Sequence, residues 1–113
     1  MYKIEAIIRV HRLDEVRDAL QEIDVIGLTV SDCRGTGRQR STAHSFRGSQ
    51  YSHNFEPRLR LEVLVTSAQL DPAIDAIQVA AQTGEVGDGK IFVSELKTVV
   101  RIRTNERGET ALP

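Results

Sequence analysis

An α+β sandwich is the fold class this sequence predicts, on three observations. Apolar residues alternate at a period of two over residues 2–10, a helix-period pattern follows, and the same succession returns after a long polar interval. In the first stretch Tyr2, Ile4, Ala6, Ile8 and Val10 alternate with Lys3, Glu5, Ile7 and Arg9, as in a strand with one buried face. Leu13, Val16, Leu20 and Ile23 then take helical spacing, with Asp14 and Glu15 early, where the positive end of a helix dipole favours carboxylates. Gly27 breaks that pattern, and the residues from Leu28 to Cys33 read as a second strand entering a glycine-bearing turn at Gly35 and Gly37.

Residues 38–56 have no sustained apolar period and are crowded with Arg, Ser, Thr, His, Asn and Gln. A loop of that length inside a small domain is uncommon, and such loops tend to carry function. A third strand is expected from Arg58, where Leu59, Leu61, Val63 and Val65 alternate with Arg58, Arg60, Glu62 and Leu64. Thr66 and Ser67 are good N-cap types, Leu70, Ile74, Ile77 and Ala81 continue at helical spacing, and Pro72 is tolerable only near the helix start. After the glycine-rich TGEVGDGK, the stretches IFVSEL and TVVRIR have strand-forming composition. The resulting order, strand–helix–strand twice over, predicts a split βαβ, ferredoxin-like βαββαβ sandwich with both helices on one face of the sheet.

The 113 residues make one domain with a modest core, to which oligomerisation would add. Fifteen basic residues against 16 acidic ones give no general field for nucleic acid or an anionic membrane. Cys33 is the only cysteine, which excludes an intrachain disulfide framework and fits a reducing cytoplasm. Neither a signal peptide nor a membrane anchor is visible, so a cytoplasmic protein without membrane insertion is expected.

The most informative run is Thr83-Gly84-Glu85-Val86-Gly87-Asp88-Gly89-Lys90. Glycines let backbone N–H groups crowd around an anion, and the lysine supplies a point charge for phosphate. Gly84 to Lys90 has the G-x-x-x-x-G-K spacing of a P-loop, but Ile91 stands where a hydroxyl would hold magnesium, and the run leads from helix to strand. An ordinary P-loop hydrolase is therefore disfavoured, and phosphate binding stands beside a plain helix C-cap and connection. Arg101 and Arg103, two apart in an expected strand, would leave one face and suit a polyphosphate; on a solvent face they would be unremarkable. His11, His44 and His53 have no ligand partners at metal-site spacing, and no serine, histidine and carboxylate set supports nucleophilic catalysis. Enzyme chemistry is not indicated.

With these residues placed, the chain resembles the PII signal-transduction family over nearly its whole length, through KIEAIIR, LDEVRDAL, GLTVSDCRGTGRQ, RGSQY, TGEVGDGKIFV and VVRIRTNE. The resemblance implies a homotrimer of single domains spanning residues 1–113, with nucleotide sites in clefts between subunits. It further implies a mobile T-loop at about 37–56, a B-loop at about 82–90 and a C-terminal loop at about 101–113. By matching position, Ile7, Thr29, Gly35, Gly37 and Glu62 resemble residues around the adenine and ribose, and Arg38 and Asp88 are carried over as further nucleotide-binding positions. Gly87, Gly89 and Lys90 resemble the phosphate loop, with Arg101 and Arg103 completing it across the subunit boundary. ATP and ADP would compete there.

In the family, magnesium held by ATP and the residue matching Gln39 recruits 2-oxoglutarate, whose carboxylate pairs with a lysine at the position of Arg58. Arginine keeps the charge on a larger, differently directed fork, so the metabolite is either still paired or excluded. Tyr51 and Ser49 match residues that are uridylylated or phosphorylated in some members. The implied function is a non-enzymatic sensor of ATP and ADP that regulates a nitrogen-metabolism enzyme or an ammonium transporter through its T-loop, with recruitment to the membrane by the transporter. The departures at Arg58 and in RSTAHSF leave an alternative: a divergent paralogue that reads adenine nucleotides without 2-oxoglutarate and serves another transporter or a metal- or carbon-related pathway.

Overall fold

The computed structural model describes residues 1–37 and 54–113. Four strands and two helices follow in the expected order: β1 (Tyr2–Ile8), α1 (Leu13–Glu22), β2 (Thr29–Gly35), β3 (Glu56–Val65), α2 (Ser67–Ala81) and β4 (Lys90–Glu95). They form one antiparallel sheet in the spatial order β2-β3-β1-β4. The fold is the ferredoxin-like α+β sandwich, in which each half crosses over so that β1 and β3 lie side by side at the centre.

The alternation in β1 and β3 sets which face is buried. Ile4 pairs with Val63 and Val93, and Ala6 with Leu61 and Ile91. These sit on the helix side, where Val16 and Leu20 of α1 and Ala73, Ile77 and Ala81 of α2 complete a core buried to within a few per cent. Thr66 caps α2 through a reciprocal box: its side chain accepts from the Gln69 N–H, and the Gln69 side chain accepts from the Thr66 N–H. Pro72 falls at the sixth position of α2, beyond the first turn where its missing N–H would cost nothing.

The other face carries Ile7, Glu62, Leu64 and Phe92, and no helix covers it among the described residues; Leu64 is 38% and Phe92 47% exposed. None of the described helices is long and apolar enough to cross a membrane.

Three expectations about element limits are corrected. β1 ends at Ile8 instead of Val10, because residues 10–12 turn into a short 3-10 helix and Val10 is half exposed. β2 runs through Gly35, which pairs with Glu56, so the glycine lies in the ladder before the turn. TVVRIR does not form a sheet strand: the ladder closes where Leu96 N–H donates to the Met1 carbonyl, and Val99 to Gly108 fold into a separate hairpin. A single bridge joins Val100 to Arg107, and the turn is closed by bonds between Arg101 and Glu106 and between Asn105 and Arg101, with Asn105 left-handed at φ 61°.

Candidate functional site

The glycine-rich run connects α2 to β4 and is built around two side chains. Asp88 accepts from the N–H of Thr83 (2.8 Å) and of Gly84 (2.9 Å), and from the Thr83 hydroxyl. The guanidinium of Arg9, the residue after β1, donates from Nε to the same carboxylate at 3.0 Å and from Nη2 to the Val86 carbonyl at 2.9 Å. The Thr83 hydroxyl bond above all holds the Asp88 carboxyl well below the usual carboxylate range; loop burial opposes this, and Arg9 and the two N–H groups add to it.

Gly87 (φ 105°) and Gly89 (φ 99°) turn the loop in the left-handed half of backbone space. At Gly89 there is a second constraint. A Cβ there would stand 1.7 Å from the Ile7 carbonyl oxygen and 2.8 Å from its carbon, so only glycine permits the loop to lie on β1. Lys90 then opens β4 directly opposite Ile7, placing its side chain on the open face of the sheet.

That approach creates a cleft of about 560 Å³ between the loop and the β2–β3 hairpin. Gly35, Thr36 and Gly37 form one wall, Val86, Gly87, Gly89 and Lys90 the other, with Ile7 and Phe92 as an apolar floor and Asn54, Glu56 and Arg58 at the end. An apolar floor, a backbone-lined wall and nearby cations are chemistry suited to a flat apolar group bearing an anionic tail.

Comparison with known proteins decides the family: the model for "Nitrogen regulatory protein P-II" matches residues 1–106. The chain belongs to the P-II family. Nitrogen regulatory protein P-II of Mesorhizobium japonicum is 49% identical over 112 residues, 99% of this chain and the whole of that one. The Pasteurella multocida protein is 46% identical over the same extent. Arabidopsis thaliana PII bound to citrate, a crystal structure, superposes with a TM-score of 0.80 at 40% identity, covering 97% of this chain and 90% of that chain. P-II proteins are signalling regulators, not enzymes, and this chain is one of them.

Of the residues expected at a P-II ligand site, the cleft brings together Ile7, Gly35, Gly37, Arg58, Gly87, Gly89 and Lys90. Thr29 and Glu62 are direct partners across β2 and β3 and share the open face with Ile7, but they do not line this cleft. Asp88 lies behind the loop, on Thr83, Gly84 and Arg9. Arg101 and Arg103 occupy the C-terminal hairpin away from the cleft, and because residues 102–104 turn, they do not share a strand face. Arg101 is held within its own segment by Glu106 at 3.6 Å and by the Pro113 carbonyl. Arg38, Gln39, Ser49 and Tyr51 lie outside the described residues.

Sequence reasoning missed Thr36, Glu56 and Phe92 in the lining of the cleft, and Arg9 as the partner of Asp88 and Val86.

Proposed function

We propose that this P-II protein binds ATP and ADP competitively in the cleft between the glycine-rich loop and the β2–β3 hairpin, as a homotrimer, and signals through the segment that joins those two strands. The observation that carries this reading is the contact of Gly89 with the Ile7 backbone, which seats Gly87, Gly89 and Lys90 on an apolar floor beside two more glycines. Backbone N–H groups and a lysine recognise phosphate oxygens, and Ile7 and Phe92 offer a surface for an aromatic base.

The uncovered sheet face, with Leu64 and Phe92 exposed, supports assembly. In a trimer, Thr29 and Glu62 on that face and Arg101 and Arg103 on the hairpin would come from a neighbouring subunit to complete the base and phosphate contacts. Among the described residues no three acidic, histidine or cysteine side chains gather as a metal cluster. Glu56 alone fits a cation carried in on phosphate, since magnesium takes few protein ligands beside phosphate oxygens; Gln39 would be a further ligand. Nucleotide occupancy then regulates a membrane transporter or metabolic enzyme of nitrogen assimilation from the cytoplasm, by binding unequally to two arrangements of the joining segment.

A second reading, without 2-oxoglutarate, is favoured by Arg58. Its Nη1 donates to the neighbouring Pro57 carbonyl at 2.8 Å, which engages one edge of the fork that would otherwise meet a carboxylate. The Arabidopsis relative that holds citrate supports organic-anion binding in the family. Calorimetric titration of ATP, of ADP against bound ATP, and of 2-oxoglutarate against each magnesium-nucleotide complex tests both readings. Competition between the nucleotides supports the first, and independent, additive binding contradicts it. Absence of 2-oxoglutarate heat with either nucleotide selects the second.

A further inference from the structure

The Val86–Gly87 peptide plane is held from outside the cleft. Its carbonyl accepts from Arg9 Nη2 at 2.9 Å, while Val86 and Gly87 line the cleft and Arg9 does not. In a trans peptide the carbonyl of one residue and the N–H of the next point in opposite directions. Fixing the Val86 carbonyl on Arg9 therefore aims the Gly87 N–H away from Arg9, and among the described residues that N–H meets no acceptor.

The same plane could turn over. Gly87 sits at φ 105°, and glycine takes φ of either sign at similar cost, so a half-turn of the peptide is open to it. The turned state would present the Val86 carbonyl oxygen, an electron-rich group, where the N–H now points. Arg9 opposes this with two bonds from one guanidinium: Nε to Asp88 fixes the fork, and Nη2 to Val86 fixes the plane. Asp88 in turn holds Thr83 and Gly84, so the loop on both sides of the plane is tied to one anchor.

We infer that Arg9 is the positioning residue of the ligand site: by holding the Val86 carbonyl it keeps the Gly87 N–H turned outward as a donor for a phosphate oxygen. This deepens the nucleotide reading and rests on it. Lysine at this position keeps the charge but has no fork to serve Asp88 and Val86 together.

The test compares wild type, Arg9→Lys and Arg9→Gln by calorimetry with ATP, ADP and adenosine. The amide resonance of Gly87 is followed by NMR with and without ATP. Arg9→Lys is expected to weaken ATP and ADP roughly tenfold, the scale of one charge-assisted hydrogen bond, and to leave adenosine unchanged. Arg9→Gln should be at least as weak, and the large ATP-induced shift of the Gly87 amide should shrink in both. Equal ATP affinity in wild type and Arg9→Lys would overturn the inference, since charge alone would then suffice. An equal loss for adenosine would overturn it too, because the effect would be structural. If wild type itself binds no nucleotide, the ligand reading fails, and the inference with it, a result distinct from either of those.

Discussion

Gly89 and Ile7 touch through their backbones: a methyl group on Gly89 would stand 1.7 Å from the Ile7 carbonyl oxygen. This contact joins the loop to the central strand and fixes where Lys90 begins β4. Gly89→Ala would force the loop off β1 and place a side chain at φ 99°. A loss of about 2 kcal/mol or more in urea unfolding is expected, together with lost nucleotide binding. Unchanged stability would mean that the loop has another resting place.

Asp88 should leave a signature in acid. Its carboxyl is held below its ordinary value of about 3.9, so the bonds it accepts stabilise the fold above that pH. The contribution declines as pH falls toward the depressed folded value. The stability difference between wild type and Asp88→Asn should therefore be constant above about pH 5 and narrow below about pH 4. A difference that stayed flat to pH 2.5 would show that Asp88 is not the titrating link.

Those two elements were legible in the sequence to different degrees. The spacing of the glycines and Lys90 marked the loop as a candidate for anion binding beside a plain helix C-cap, and the alternations in β1 and β3 gave the core positions Ile4, Ala6, Ile8, Leu59, Leu61, Val63 and Val65, with Val10 the exception. Arg9 was not legible, because its partners Val86 and Asp88 are 77 and 79 positions away and only the fold brings them together. TVVRIR misled for a related reason. Its β-branched composition suits a strand, yet the β1–β4 ladder had already closed at Leu96, and Thr104 and Glu106 bond each other while the Asn105 N–H donates to the Arg101 carbonyl, closing a turn. Strand composition does not supply a pairing partner.

The α2 start and the core should separate cleanly in stability measurements. Thr66→Ala removes one half of the capping box and is expected to cost about 1 kcal/mol. Ile77→Ala leaves a void in a position that is fully buried and is expected to cost about 2–5 kcal/mol. Thermal melts of the two variants check the order; a larger loss from Thr66→Ala would contradict this account of the core.

Assembly through the open sheet face predicts that a charge placed there separates the subunits. Phe92→Glu should convert a trimer to monomers in sedimentation, whereas Val79→Glu, on the 70% exposed outer side of α2, should not. A trimer that survives Phe92→Glu would place the interface elsewhere.

The most direct test of nucleotide binding in this cleft is calorimetric titration of ATP into wild type and Lys90→Ala, with the oligomeric mass of both measured in parallel. The account predicts one site per chain in wild type and an affinity lower by about tenfold or more in Lys90→Ala, at unchanged mass. Equal affinities would contradict it.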